Sequence, residues 1–382
     1  MVSASVPVHS AASSTSSDGL RNHADSTVTL SREPFGTTPD GKAVERVTLG
    51  TGAGIRLSAI SYGAAVQELW APDRDGRLAN IVLGFADLDG YTSRPNHYFG
   101  AIIGRFANRI GGGCFTLDGL AYELARNEGG NSLHGGPRGF DKQVWRIGAT
   151  SVGRDSGRVV FRHTSPDGEM GYPGTLEIEA AYTLSASSLR LDLSATTDKP
   201  TIVNLTAHPL WNLAGEGEGT TDDHLVTLRA RRYTPIDEAF LPTGEIAPVA
   251  KTPFDFTSAT ALGARIDDDF DQLRLARGYD HNFVIDREDR RSLSPVALVE
   301  EQRCGRRLEI QTTEPGLQLY SGNFLDGSLV GTSGRSYPQR AGLALEPQHF
   351  PDSPHHESFP TTVLRPGRTL RSTTIYRLSV NR

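Results

Sequence analysis

The run "LEIEAAYTLSASSLRLDL" (Leu176 to Leu193) constrains this chain more than any other stretch. Leu189, Leu191 and Leu193 fall on one side of an extended backbone, and Arg190 and Asp192 fall on the other. That period of about two residues suits a strand with one buried face. "LEIEAAYTL" (176–184) alternates in the same way, and "SASS" between the two runs reads as a hairpin loop. Similar runs recur at 46–49, 55–70, 80–85, 158–164, 201–208, 224–233, 281–286, 295–300, 306–313, 341–346 and 369–380. Helical periodicity is scarce, and "SATALGARIDD" (258–268) is the best helix candidate. Asp40, Asp89, Asp118, Asp167 and Asp326 are each followed by glycine and read as turns. Many strands, few short helices and no repeat or composition break after residue 30 predict an all-β fold. The expectation is one large antiparallel sandwich or barrel over residues 29–382. Residues 1–28, rich in Ser and Ala and without a period, read as a disordered leader.

Composition removes whole classes of function. Lysine and arginine number 39 against 45 aspartates and glutamates, a formal net charge of −6. With no basic stripe, nucleic acid and anionic membrane surfaces are poor partners. No apolar run approaches the roughly 18 residues of a membrane helix. The leader lacks the basic start and apolar stretch of a secretory signal, so the cytoplasm is expected. Cys114 and Cys304 lie far apart and form no CxxC pair, against a disulfide framework or a cysteine zinc site. "GTGAGI" (50–55) opens no helix and is not a dinucleotide loop. "HFPDSPHHE" (349–357) has prolines and no metal-ligand spacing, and reads as a surface loop. No G-x-S-x-G elbow is present. Neither a metal nor a cofactor is expected.

The remaining polar residues gather at strand ends and in glycine-rich loops. "NEGGNSLHGG" (Asn127 to Gly136) places the imidazole of His134 in a loop built to bend sharply. "TIVNLTAHPLWNL" (Thr201 to Leu213), read as one strand, puts Asn204, Thr206 and His208 on one face. That face is either the exposed side of an ordinary strand or the wall of a cleft, with His208 as a proton donor or acceptor. In "AGLALEPQHF" (Ala341 to Phe350), Leu343 and Leu345 oppose Gly342, Ala344 and Glu346, and two small residues leave space beside a carboxylate. Pro347 is expected to end regular pairing there. "GYDHNFVID" contributes Asp280, "GRFANRI" contributes Arg105, Asn108 and Arg109, and "TTEPGLQLYSGNFL" contributes Gln318. Amide, carboxylate and guanidinium groups beside aromatic rings are what a sugar's hydroxyls and ring faces require.

At "GRFANRI", "NSLHGG", "NLTAH", "YDHNF", "TTEPGLQ" and "LEPQHFPDS" the chain resembles the aldose 1-epimerases, the sugar mutarotases. The motifs stand in the family's order and span residue 29 to the C-terminus. The resemblance implies a β-sandwich of the galactose-mutarotase type without metal or cofactor. It implies a free monosaccharide substrate such as galactose or glucose; a monomer or homodimer is expected. By motif, Glu346 resembles the family's general base and His208 its general acid. Asn108, Arg109, His134, Asp280 and Gln318 match its sugar-contacting positions. The chain departs at "AHPLWNL" (Ala207 to Leu213), where the family has "NHSYFNL", and at "EPQ" (Glu346 to Gln348), where it has "ETQ". The changed Pro209, Leu210 and Pro347 bear on sugar preference more than on the reaction. Two rivals stand beside this reading. A non-catalytic sugar-binding sandwich would not need an acid–base pair. A β-sandwich glycosidase or lyase would more naturally use paired carboxylates, or a Tyr/Arg/His set in a long groove.

Overall fold

The computed structural model describes residues 1–2, 28–93, 97–287, 289 and 292–381. The leader read over residues 1–28 falls almost wholly outside them. Its largest sheet has nine antiparallel strands, in the order Arg146–Val152, Ser156–Ser165, Leu176–Ser185, Ser188–Thr197, Leu370–Val380, Arg306–Thr312, Ser294–Glu300, Leu225–Leu228 and Thr260–Ala261. The expected hairpin lies within it. Leu184 pairs with Leu189, and Leu189, Leu191 and Leu193 are buried while Arg190 is exposed.

A six-stranded antiparallel sheet packs across this one, in the order Leu210–Trp211, Leu343–Gln348, Gly316–Tyr320, Asp280–Val284, Arg232–Tyr233 and Ala247–Pro248. Alternation decides what each of its faces does. Leu343, Leu345, Leu317, Leu319 and Phe283 enter one buried cluster with Tyr182, Leu191, Ile310 and Tyr376 of the larger sheet. Emptying one such leucine position to alanine costs about 2–5 kcal/mol, so the register of this sheet is firmly held. The intervening residues Ala344, Glu346, Gln318, Tyr320 and Asp280 therefore face the other way. A five-stranded meander of Thr29–Thr37, Ala43–Gly50, Arg56–Ile60, Val66–Pro72 and Leu78–Asn80 adds Val47, Leu49, Leu57 and Leu69 to the same cluster. "GTGAGI" is the hairpin joining two of its strands.

Several expectations need correction. The segment 258–268 is no α-helix: Thr260–Ala261 pairs with Leu225–Leu228, and Leu262–Ala264 forms a single 3₁₀ turn. So short a segment gains little as a helix in isolation, and an available sheet edge wins. The α-helices are Leu88–Thr92 and Asp271–Ala276, and the second stops at Arg277 in the left-handed conformation (φ 56°). Asp118 and Gly119 do make a tight hairpin turn, with φ of 52° and 79°. Asp89–Gly90 instead lies inside the first helix, where Asp87 caps the Gly90 N–H at 3.0 Å. Pro347 does not end pairing, because it stands opposite Leu317 and the register continues to Gln348. Its carbonyl accepts from Thr206 Oγ1 at 2.8 Å, so its missing N–H faces away from the paired strand and interrupts nothing.

Candidate active site

The outward row of the six-stranded sheet floors a cleft of about 290 Å³. That is near the roughly 300 Å³ at which small-molecule sites begin, room for one sugar ring. Glu346 lies in it, 2% exposed. Its Oε1 is 3.5 Å from His208 Nε2, and its Oε2 has no hydrogen-bond partner among the described residues. Gln318 stands opposite Glu346, and its Nε2 donates to Asp280 Oδ1 at 2.7 Å, while its own Oε1 has no partner among the described residues. Buried acceptors left unpaired cost stability. Of the two, Glu346 Oε2 lies in the cleft, where a hydroxyl donor would sit.

The polar face read across residues 201–213 breaks into pieces. Thr201–Ile202, Thr206–Ala207 and Leu210–Trp211 are separate short strands, and Asn204 and Thr206 are buried clamps, not cleft wall. Asn204 Nδ2 donates to the carbonyls of Ala107 and His349 at 3.2 and 3.1 Å, and its Oδ1 accepts from His349 N at 2.9 Å. With Thr206 on Pro347, these bonds fasten the chain after Glu346 to the chain before His208. Of the three, His208 reaches the cleft.

The loop at 127–136 is folded as tightly as its glycines suggest. Asn127 clasps Leu133 through two bonds, at 2.8 and 3.0 Å. His134 adopts φ 52°, donates its N–H to Asn108 O at 3.0 Å, and accepts Asn108 N–H on Nδ1 at 3.1 Å. Accepting there leaves the ring proton of His134 on Nε2. A Cβ at Gly135 would sit 2.0 Å from Gly104 O, so only glycine fits. Arg109 forks onto Glu128 with two bonds of 2.6 Å and holds Nη1 3.8 Å from Asp280 Oδ2.

Burial shifts the carboxylate and the imidazole in opposite directions. Burial, then the neighbouring Asp280, raises Glu346 well above the usual carboxylate range against the pull of Arg109. Burial holds His208 down to about 4. His134 is lowered well below its ordinary value by burial first, then by His208 and by the cations of Arg109 and Lys142. Burial also raises Asp280, with Arg109 and Gln318 opposing.

The family model described as aldose 1-epimerase matches residues 45–377. The chain belongs to the aldose 1-epimerase family. It is 43% identical over 352 residues to the galactose mutarotase of Homo sapiens, covering 92% of this chain and 99% of that protein. To the aldose 1-epimerase of Escherichia coli K12 it is 36% identical over 342 residues, covering 88% and 96%. The galactose 1-epimerase structure from Lactobacillus acidophilus superposes with a TM-score of 0.82 at 28% identity, covering 93% of this chain and all of that one.

The cleft gathers Asn108, Arg109, His134, His208, Asp280 and Glu346, while Gln318, outside its lining, bonds Asp280. Arg105, noted in the same motif, is elsewhere: its buried guanidinium bonds Ser165 and the carbonyls of Pro166 and Pro173. The sequence reading passed over Glu128, Tyr98, Tyr320 and Phe324, all of which line the cleft. Glu128 had a signal, being the one charge in "NEGGNSLHGG"; the aromatics had none, since rings serve cores equally well. The segment 349–357 is not simply surface: His349 Nδ1 meets the buried Glu314 at 2.8 Å, and Asp352 accepts from Gly111 N. Cys114 and Cys304 are both free thiols. Among the described residues no group of three His, Cys, Asp or Glu could hold a metal ion, and no helix is long and apolar enough to cross a membrane.

Proposed function

We propose that this chain interconverts the α and β anomers of free aldoses, galactose and glucose among them, by acid–base opening and reclosure of the ring. The carrying observation is the Glu346–His208 pair, 3.5 Å apart on the floor of a cleft sized for one sugar ring. The names of the relatives support the same reaction. In ring opening, Glu346 takes the C1 hydroxyl proton while His208 Nε2 gives a proton to the ring oxygen. The C1–O5 bond breaks as the C1 carbonyl forms. Rotation about C1–C2 and the reverse transfers close the other anomer. Each positioned acid or base contributes about 10²–10⁴-fold.

With the cleft empty, burial favours a protonated Glu346 beside a neutral His208, raising the one and lowering the other. Sugar hydroxyls donating to Glu346 favour the carboxylate and pass that proton across the short gap to His208. Asn108, Arg109, His134, Asp280 and Gln318 serve the remaining hydroxyls. Tyr320 and Phe324, stacked at 6.2 Å with Phe324 half exposed at the rim, offer an apolar face to the ring.

The proposal extends to residues 29–382 as one epimerase domain behind a leader of residues 1–28. It places the chain in the cytoplasm as a monomer or homodimer acting on free monosaccharides, an expectation that rests on composition and resemblance. Polarimetry of freshly dissolved pure anomers of several aldoses tests the activity. Faster approach to the same equilibrium rotation is expected, with no cleavage of oligosaccharides. Unchanged relaxation for every aldose, or release of sugar from a polymer, would refute it.

A further inference from the structure

Acid–base histidines are normally oriented through their second ring nitrogen. His134 follows that rule by accepting from Asn108 N. His208 does not, because its buried Nδ1 has no hydrogen-bond partner among the described residues. Besides Glu346, two aromatic rings pack against its imidazole. His134 meets it edge-on, with centroids 5.4 Å apart at 87°, and Tyr98 lies at 5.8 Å and 44°. Tyr98 also lies 4.5 Å from His134, so a single phenol ring packs against both imidazoles. Lys142 Nζ sits 4.9 Å from the centroid of that ring and is fixed by Asp141 at 2.5 Å. A partly desolvated cation over an aromatic face is an attractive contact, and it restrains the ring.

The backbone couples the same groups. Gly100 donates to His208 O and His208 donates to Ala101 O, both at 2.9 Å, while Ala101 N closes a turn on Tyr98 O at 3.1 Å. Tyr98 itself is held at φ 54°. At Gly100 a Cβ would lie 1.9 Å from Val66 O, which forbids any other residue in this short ladder. The Tyr98 hydroxyl is buried without a partner among the described residues, and its contact with the histidines is made by the ring.

We propose that Tyr98, backed by Lys142, is the positioning residue that orients His208 for proton transfer in place of a hydrogen-bonded partner. The inference rests on the epimerase reading above. Tyr98→Leu keeps apolar bulk but removes the planar ring. Its kcat should fall by about 10–10²-fold, the cost of displacing a reacting group by about 1 Å, with KM changed by less than about threefold. The acid-side limb of its pH–rate profile should also move up towards the ordinary imidazole value as water reaches His208. Tyr98→Phe keeps the ring and should restore kcat to within about threefold of the unmodified protein. A Tyr98→Leu protein that is folded by circular dichroism yet keeps its kcat and its limb overturns the proposal. So does a Tyr98→Phe protein that loses as much as Tyr98→Leu, since the hydroxyl would then be the working group. Should Tyr98→Leu fail to fold, Lys142→Met carries the test: a several-fold loss in kcat at constant KM is expected, and an unchanged kcat overturns it. Absence of mutarotation in the unmodified protein would instead sink the epimerase reading itself.

Discussion

His208→Asn tests both the chemistry and the electrostatics of the cleft. The imidazole is 6% exposed and is held to about 4, against an ordinary 6.5, by burial. Between those values the unfolded chain binds a proton that the folded chain does not, so this residue makes stability rise with pH across that window. The difference, 6.5 − 4, is about 2.5 units. At about 1.4 kcal/mol per unit, roughly 3 kcal/mol of stability is missing at pH 4 relative to neutrality. Asparagine does not titrate and removes that component. Urea unfolding at about pH 4.5, 5.5 and 7 should therefore show the variant gaining on the unmodified protein as pH falls, by roughly 2 kcal/mol at pH 4.5. His163, His224 and His281 are also held low by burial, at about 4, 4 and 3, but they titrate alike in both proteins and cancel in the difference. Turnover of the same variant should drop by at least about 10²-fold, and one limb of the pH–rate profile should vanish. Two stability curves separated by a constant offset would refute the electrostatic argument. A surviving limb would refute the assignment of the acid.

Glu346→Gln should cut turnover by at least about 10²-fold while sugar binding largely persists, and near-normal turnover rules the base out. Because its folded value is raised, Glu346 contributes stability that is lost as pH climbs above the ordinary carboxylate range; the glutamine protein should gain stability relative to the original with rising pH, measured by urea unfolding at pH 5 and 8. His134→Asn should raise KM or lower rate yet keep both limbs of the pH profile, since His134 already accepts on Nδ1 and works as a neutral donor; loss of the limb here and not in His208→Asn would reverse the two roles. Activity should survive exhaustive chelation and dialysis, and loss with EDTA that one added metal restores would overturn the metal-free reading. Deleting residues 1–27, which leaves the buried Val28 in place, should change activity by less than about twofold; a collapse in rate would give the leader a catalytic or folding role.

The sequence reached furthest where one short period decides one face. Leu189, Leu191 and Leu193 opposite Arg190, and Leu343 and Leu345 opposite Glu346, are buried and oriented as their alternation required. The same logic failed at Asn204, Thr206 and His208, where the chain breaks pairing between two-residue strands and both parities are buried. It failed again at 258–268, where an open sheet edge outweighed a weak helical period.

Local alternation and turn chemistry are properties of neighbouring residues, so the sequence by itself determined that this chain builds an all-β fold and pointed to its six motifs as the parts of a sugar site. What only the tertiary structure decided is which of those polar residues share one space. Glu346 and His208 are separated by more than a hundred residues along the chain, yet Asn204 and Thr206 bond the backbone beside one to the backbone beside the other. Glu128 becomes the partner of Arg109, Tyr98 packs against both imidazoles, and Arg105 leaves the site for three carbonyls and a hydroxyl. The shifted proton affinities follow from the same enclosure: desolvation depends on everything packed around a group, and no window of sequence contains that.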